Sequence, residues 1–164
     1  KEFDFKIDFE SFLKRTPLTT LPDGTSSIFI FDPSNSIFKN LQNLNHWTFN
    51  HIQFKAGVTQ VDTELKDVIA TRQGVCQDFT HLFCAMSRKN GIPARYVSGY
   101  LNQEVYIPLV GWKGFDPTNN IMANTNHIKV CHGKDYKDCS PLKGIIYSQG
   151  QNKTKYSVKV QSQQ

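Results

Sequence analysis

The stretch Arg72-Gln73-Gly74-Val75-Cys76-Gln77-Asp78-Phe79 places a thiol where a glycine-broken approach turns into a helix. Phe79, Leu82, Phe83 and Met86 recur at i, i+3, i+4 and i+7, which predicts one apolar helical face and sets Cys76 in the first turn. Backbone N–H groups without helical partners and the positive end of the helix dipole then lie beside the sulfur. Both favour thiolate, so the position predicts a thiol pKa lowered from about 8.5 towards neutrality. Cys76 is the expected nucleophile, and its backbone N–H is a natural donor to an oxyanion.

Such a thiol needs a base to take its proton and an acceptor to hold that base in one tautomer. Asp116, in Gly114-Phe115-Asp116-Pro117-Thr118-Asn119, follows a short aromatic strand and is a candidate orienter. Asp-Pro is also common turn chemistry, in which the carboxylate bonds its own backbone. Five histidines are available as bases. His46 and His51 fall on or just after an earlier helix, with nothing to aim them. His81 lies about 140° round the helix from Cys76 and reads as a core histidine. His127 precedes a strand and can approach a sheet edge, and His132 sits beside Gly133 in a turn.

The elements that must position these groups are legible in outline. Phe3, Phe5, Ile7 and Phe9 alternate with charged residues, as a half-buried strand does, and Pro17 to Ser27 reads as a loop leading to a second apolar run, Ile28-Phe29-Ile30-Phe31. Asp32-Pro33-Ser34 supplies helix-start chemistry for Ile37, Leu41, Leu44 and Trp47. A short helix from Thr63 carries Leu65, Val68 and Ile69. The Cys76 helix should stop at Asn90-Gly91, ahead of Pro93. Segments 95–101, 105–110, 112–115 and 128–131 then read as strands, and 145–148 with 156–160 as a closing hairpin. Helices followed by an antiparallel sheet make the class α+β. The expected division is an N-terminal β segment over residues 1–27 and a core domain over 28–164.

A chain of 164 residues with 38% apolar residues and twelve Phe can build a core of its own. The net charge of +5 comes from scattered lysines with no basic run interleaved with aromatics, which argues against nucleic acid as a partner. No run of eighteen apolar residues exists, and Lys1-Glu2-Phe3-Asp4-Phe5-Lys6 is charged where a signal peptide is apolar, so no membrane partner and a cytoplasmic location are expected, although a removed leader leaves no trace. Cys76 and Cys84 stand about 12 Å apart along one helix and cannot bridge each other, whereas Cys131 and Cys139 could pair. Neither spacing reads as a metal site, and no carboxylates follow a calcium-loop spacing; no cofactor is expected.

Three blocks in order now resemble a known family: residues 72–79, Gly91-Ile92-Pro93-Ala94-Arg95-Tyr96-Val97-Ser98-Gly99-Tyr100, and Gly111-Trp112-Lys113-Gly114-Phe115-Asp116-Pro117-Thr118-Asn119. Together they resemble the bacterial branch of the transglutaminase-like superfamily. Residues 56–63 resemble the family's approach to the cysteine helix, and His127-Ile128-Lys129-Val130 with Gly133-Lys134-Asp135-Tyr136 extends the likeness to roughly residues 28–160. The resemblance implies a papain-like packing of helix on sheet and a Cys-His-Asp triad acting on peptide or protein amides by acyl transfer. Cys76 becomes the nucleophile and Asp116 the orienter, with Gln77 and Trp112 shaping the pocket. It also implies that residues 1–27 are the remnant of a larger β domain. Catalytic relatives include proteases, amidases and transamidases, and a catalytically inactive peptide-binding module on the same fold is the alternative.

One departure stands out. The family pattern places His-Ala-Trp-Val-Glu-Val-Tyr before the Gly-Trp block, and Glu104-Val105-Tyr106 matches only its tail; four residues back from Glu104 stands Tyr100. Three readings follow: a true deletion that leaves a pseudo-enzyme, a substitute base such as His127, or an active-site loop missing from the chain. Asn102-Gln103 is poor two-residue hairpin chemistry, which favours a missing loop.

Overall fold

The computed structural model describes residues 9–25, 27–99, 103–124 and 127–140. Ser36 caps the first long helix with its side chain on the Lys39 N–H, and the helix, α2 (Ile37–His51), follows a short α1 (Phe9–Leu13). Chain order then runs β1 (Gln53–Phe54), α3 (Leu65–Thr71), β2 (Gln73–Gly74), α4 (Cys76–Lys89), β3 (Ala94–Gly99), β4 (Gln103–Ile107), β5 (Gly111–Asp116), β6 (Ile121–Met122) and β7 (Lys129–Gly133), ending in a 3-10 turn at Tyr136–Cys139.

The five later strands form one antiparallel sheet in the order β6-β5-β4-β3-β7, and β1 and β2 form a separate parallel pair. Ala94, Val105, Ile107 and Phe115 face the core from the sheet, Leu41 and Leu44 enter from α2, and Leu65 and Val68 from α3. Between them runs α4. Its apolar face is the predicted one, but every residue from Gln77 to Arg88 is buried, so the helix is the axis of the domain rather than an amphipathic helix at its surface. It ends as expected: Asn90 is the C-cap, and Gly91 at φ +73° takes the left-handed step that lets the Ile92 N–H return to the Ser87 carbonyl. This arrangement of a cysteine-headed helix on an antiparallel sheet is an α+β papain-like core.

Two expectations about the N-terminal region do not hold where the structure describes it. Phe9 opens a helix instead of closing a strand; its ring packs tilted on Tyr106, 4.3 Å between centroids, and α1 lies across that face of the sheet. Ile28 to Phe31 form no strand; Phe29 packs on Trp47 and Phe31 on Phe29, while Ile30 is left exposed. A run of four apolar residues satisfies the composition of a strand without providing a partner edge. Residues 1–8, 100–102 and 141–164 lie outside the described residues, and with them most of the expected first strand, the short join before Glu104 and the closing hairpin.

Candidate active site

Cys76 is the first residue of α4, after the extended cap Val75. Three pieces of chain hold it there. The Asp78 carboxylate reaches back to the Val75 N–H at 2.7 Å and accepts from the Thr59 hydroxyl at 2.6 Å. Gln77 donates from Nε2 to the Gln60 carbonyl at 2.8 Å, pinning the preceding loop to the helix start. Gly74 lets the carboxylate come close, since a Cβ there would stand 2.8 Å from Asp78 Cβ. Asp78 is fully buried, and its acid form is favoured by that burial despite the bonds it accepts.

The electrostatics depart from the expected lowered thiol pKa. The backbone N–H groups of Gln77 and Cys76 do face the sulfur and do favour thiolate. Crowding around the sulfur outweighs them, although the side chain reaches solvent, and Asp78 and Asp116 add carboxylate repulsion. The net result is a pKa raised above the ordinary thiol value. A helix start lowers a thiol pKa only where its dipole is not opposed, and here desolvation first and two carboxylates second oppose it.

Asp116 ends β5 and is nearly buried. Its Oδ1 accepts from the backbone N–H groups of Thr118 and Asn119 at 3.0 and 3.1 Å, and its Oδ2 from Asn119 Nδ2 at 2.7 Å. The local turn chemistry and the repulsion of the Cys76 thiolate therefore coexist in one carboxylate. Facing the same Oδ2 is His127, with Nε2 at 3.9 Å. The other ring nitrogen, Nδ1, lies 3.1 Å from the Asn124 N–H and 2.9 Å from Asn124 Oδ1.

The other histidines are otherwise engaged. His46 bonds Asn50 and Asn120, His51 stacks on Trp47 at 4.4 Å, and exposed His132 lies 6.3 Å from the Phe12 ring. His81 is the core histidine its helical angle implies: Nε2 accepts from the Tyr136 N–H at 3.2 Å, and burial pushes its pKa down to about 4. Trp112 lies on the sheet face covered by α1, where it meets Phe9, Phe12 and Tyr106 and carries the Arg95 guanidinium 4.0 Å above its ring. Asp78 was not singled out from sequence, although an acidic residue in the first helical turn is a visible sign of a cap.

A helix-borne cysteine at the edge of an antiparallel sheet, with a carboxylate on the adjoining strand, defines the class of protein. Residues 30–117 match the family model of the transglutaminase-like superfamily, and the chain belongs to that superfamily. An uncharacterised protein of Mycobacterium tuberculosis is 33% identical over 145 residues, covering 74% of this chain and 46% of its own length. One from Mycobacterium leprae is 35% identical over 120 residues, covering 63% and 43%. Among solved structures, a candidate cysteine protease from Cytophaga hutchinsonii superimposes with a TM-score of 0.72 at 28% identity, covering 84% of this chain and 50% of that one. The chain spans about half the length of the relatives it matches.

Proposed function

We propose that this chain is a cysteine-dependent acyl-transfer domain acting on amide bonds of peptides or proteins, with Cys76 as nucleophile, Asp116 as orienter and His127 as base. The observation that carries the proposal is the double reach of Asp116: its charge acts on the Cys76 sulfur, and its Oδ2 stands 3.9 Å from His127 Nε2. Membership of the superfamily and the likeness to a candidate cysteine protease support the same chemistry. In this scheme His127 keeps its Nε2–H towards Asp116, releases Asn124, and turns Nδ1 to take the thiol proton. The thiolate attacks the amide carbonyl, the Cys76 and Gln77 N–H groups receive the oxyanion, and the amine leaves with the proton from His127. Water or a second amine then resolves the thioester.

The base here follows Asp116 in the chain, whereas the family resemblance places its histidine before it. The family's His-Ala-Trp stretch has no counterpart ahead of Glu104, and His127 is the imidazole that faces Asp116. The raised thiol pKa and the hold of Asn124 on Nδ1 favour a second reading, a peptide-binding module without turnover.

Acylation by an activated ester, followed by intact mass, separates the two. The wild-type chain should gain one acyl group far faster than a free thiol at pH 7.5, Cys76→Ala should gain none, and His127→Gln should slow acylation about 100-fold. Acylation of the wild type no faster than a free cysteine establishes the binding module. A His127→Gln rate equal to wild type removes His127 as base.

A further inference from the structure

Cys131 and Cys139 come from different elements and meet on one face of β3. Cys131 on β7 is the cross-strand partner of Ser98, so its side chain projects on the same face as that of Ser98. Cys139 closes the 3-10 turn that packs over this face, with its Sγ 4.0 Å from the Tyr96 carbonyl and directed at the Ser98 backbone N–H. Both thiols therefore stand over the Tyr96–Ser98 stretch of β3, Cys131 from β7 and Cys139 from the turn. Cys131 is half-buried and open to a small reagent, while Cys139 is buried behind it. Burial and the neighbouring sulfur push the Cys139 thiol up to about 12, so the first attack belongs to Cys131.

We infer that Cys131 and Cys139 form a reversible dithiol–disulfide site that exchanges with low-molecular-weight disulfides. The Cys131 thiolate attacks one sulfur of a disulfide RSSR, forming a mixed disulfide and releasing RS⁻, which takes up the proton that Cys131 gave up. Cys139 loses its proton and attacks the Cys131 sulfur, releasing the second RSH. The two cysteines are oxidised together and RSSR is reduced to two thiols. The bridge would tie β7 to the 3-10 turn against Tyr96, whose phenol is kept neutral by burial and by the neighbouring thiols, Cys76 among them, so the site adjoins the candidate active site without depending on its chemistry.

The test is equilibration of the full chain with glutathione disulfide, an acid quench, blocking of free thiols and tryptic mapping. Residues 130–134 and 138–143 fall in separate peptides, so an internal bridge appears as a linked pair. The expected result is that pair, with loss of two hydrogens from the intact mass, retained in a Cys76→Ser/Cys84→Ser variant and abolished in Cys131→Ser and in Cys139→Ser. Independent glutathione adducts on Cys131 and Cys139, a bridge to Cys76, or two free thiols at full oxidation of the buffer would each overturn it.

Discussion

At its N-terminal end α4 leaves the Cys76 thiol open to solvent with two carboxylates acting on it, while near its other end, where a helix commonly frays, Arg88 is buried. Its guanidinium donates to the Ala94 carbonyl through Nε and Nη2, to the Phe12 carbonyl, to the Thr19 hydroxyl at 2.8 Å and to the Lys134 carbonyl at 2.6 Å. One end therefore holds a reactive group short of a positive partner, and the other holds a cation whose bonds are satisfied. Charge is tolerated in this core where backbone carbonyls surround it. The same helix combines a stable anchor with a thiol that nothing among the groups acting on it stabilises as an anion except two backbone N–H groups.

Breaking the anchored end should have the largest effect. Arg88→Met leaves the Phe12, Ala94 and Lys134 carbonyls without their donor and should lower unfolding free energy by about 4 kcal/mol, measured by urea denaturation. A loss below about 1 kcal/mol would mean that solvent replaces the guanidinium and that this end is no anchor.

His81, two turns earlier and also buried, makes the anchored half sensitive to pH. Its folded pKa of about 4 lies below the ordinary 6.5, so the unfolded chain binds more protons between those values. The stability it protects is complete above pH 6.5 and is lost as pH falls towards 4, by up to about 3 kcal/mol. Thermal melts from pH 7 to pH 4 should show this loss in the wild type, and His81→Gln should show less of it.

The smallest change sharpens the reactive end. Asp78→Asn removes a carboxylate that opposes the thiolate, so the midpoint of Cys76 alkylation should move to lower pH. Weakening the cap on Val75 should cost about 1 kcal/mol. An unmoved midpoint would leave crowding of the sulfur, with Asp116, as the cause of the raised pKa.

What could be read in advance was local. The Cys76 helix, its apolar face and its stop at Asn90-Gly91 depend on spacing and on a left-handed residue, both carried by neighbouring positions. The strands 94–99, 103–107 and 111–116 follow from β-branched and aromatic runs bounded by turns. Phe9 and Ile28 to Phe31 misled because an apolar run shows what should be buried, not against what. His127 was visible as a residue before a strand, but its approach to Asp116 depends on the chain crossing from β6 to the far edge of the sheet at β7.

By itself the sequence determined that a cysteine opens a helix, that a carboxylate ends a later strand, and that both belong to blocks shared with a family, because periodicity, caps and motifs are properties of adjacent residues. Only the tertiary structure decided that α4 is buried on all sides, that Arg88 sits in the core, that burial and two carboxylates raise the Cys76 pKa, and that Cys131 and Cys139 share one face of β3. Burial, desolvation and charge coupling depend on which distant segments surround a group, and that is decided when α1, α2 and the sheet close around α4.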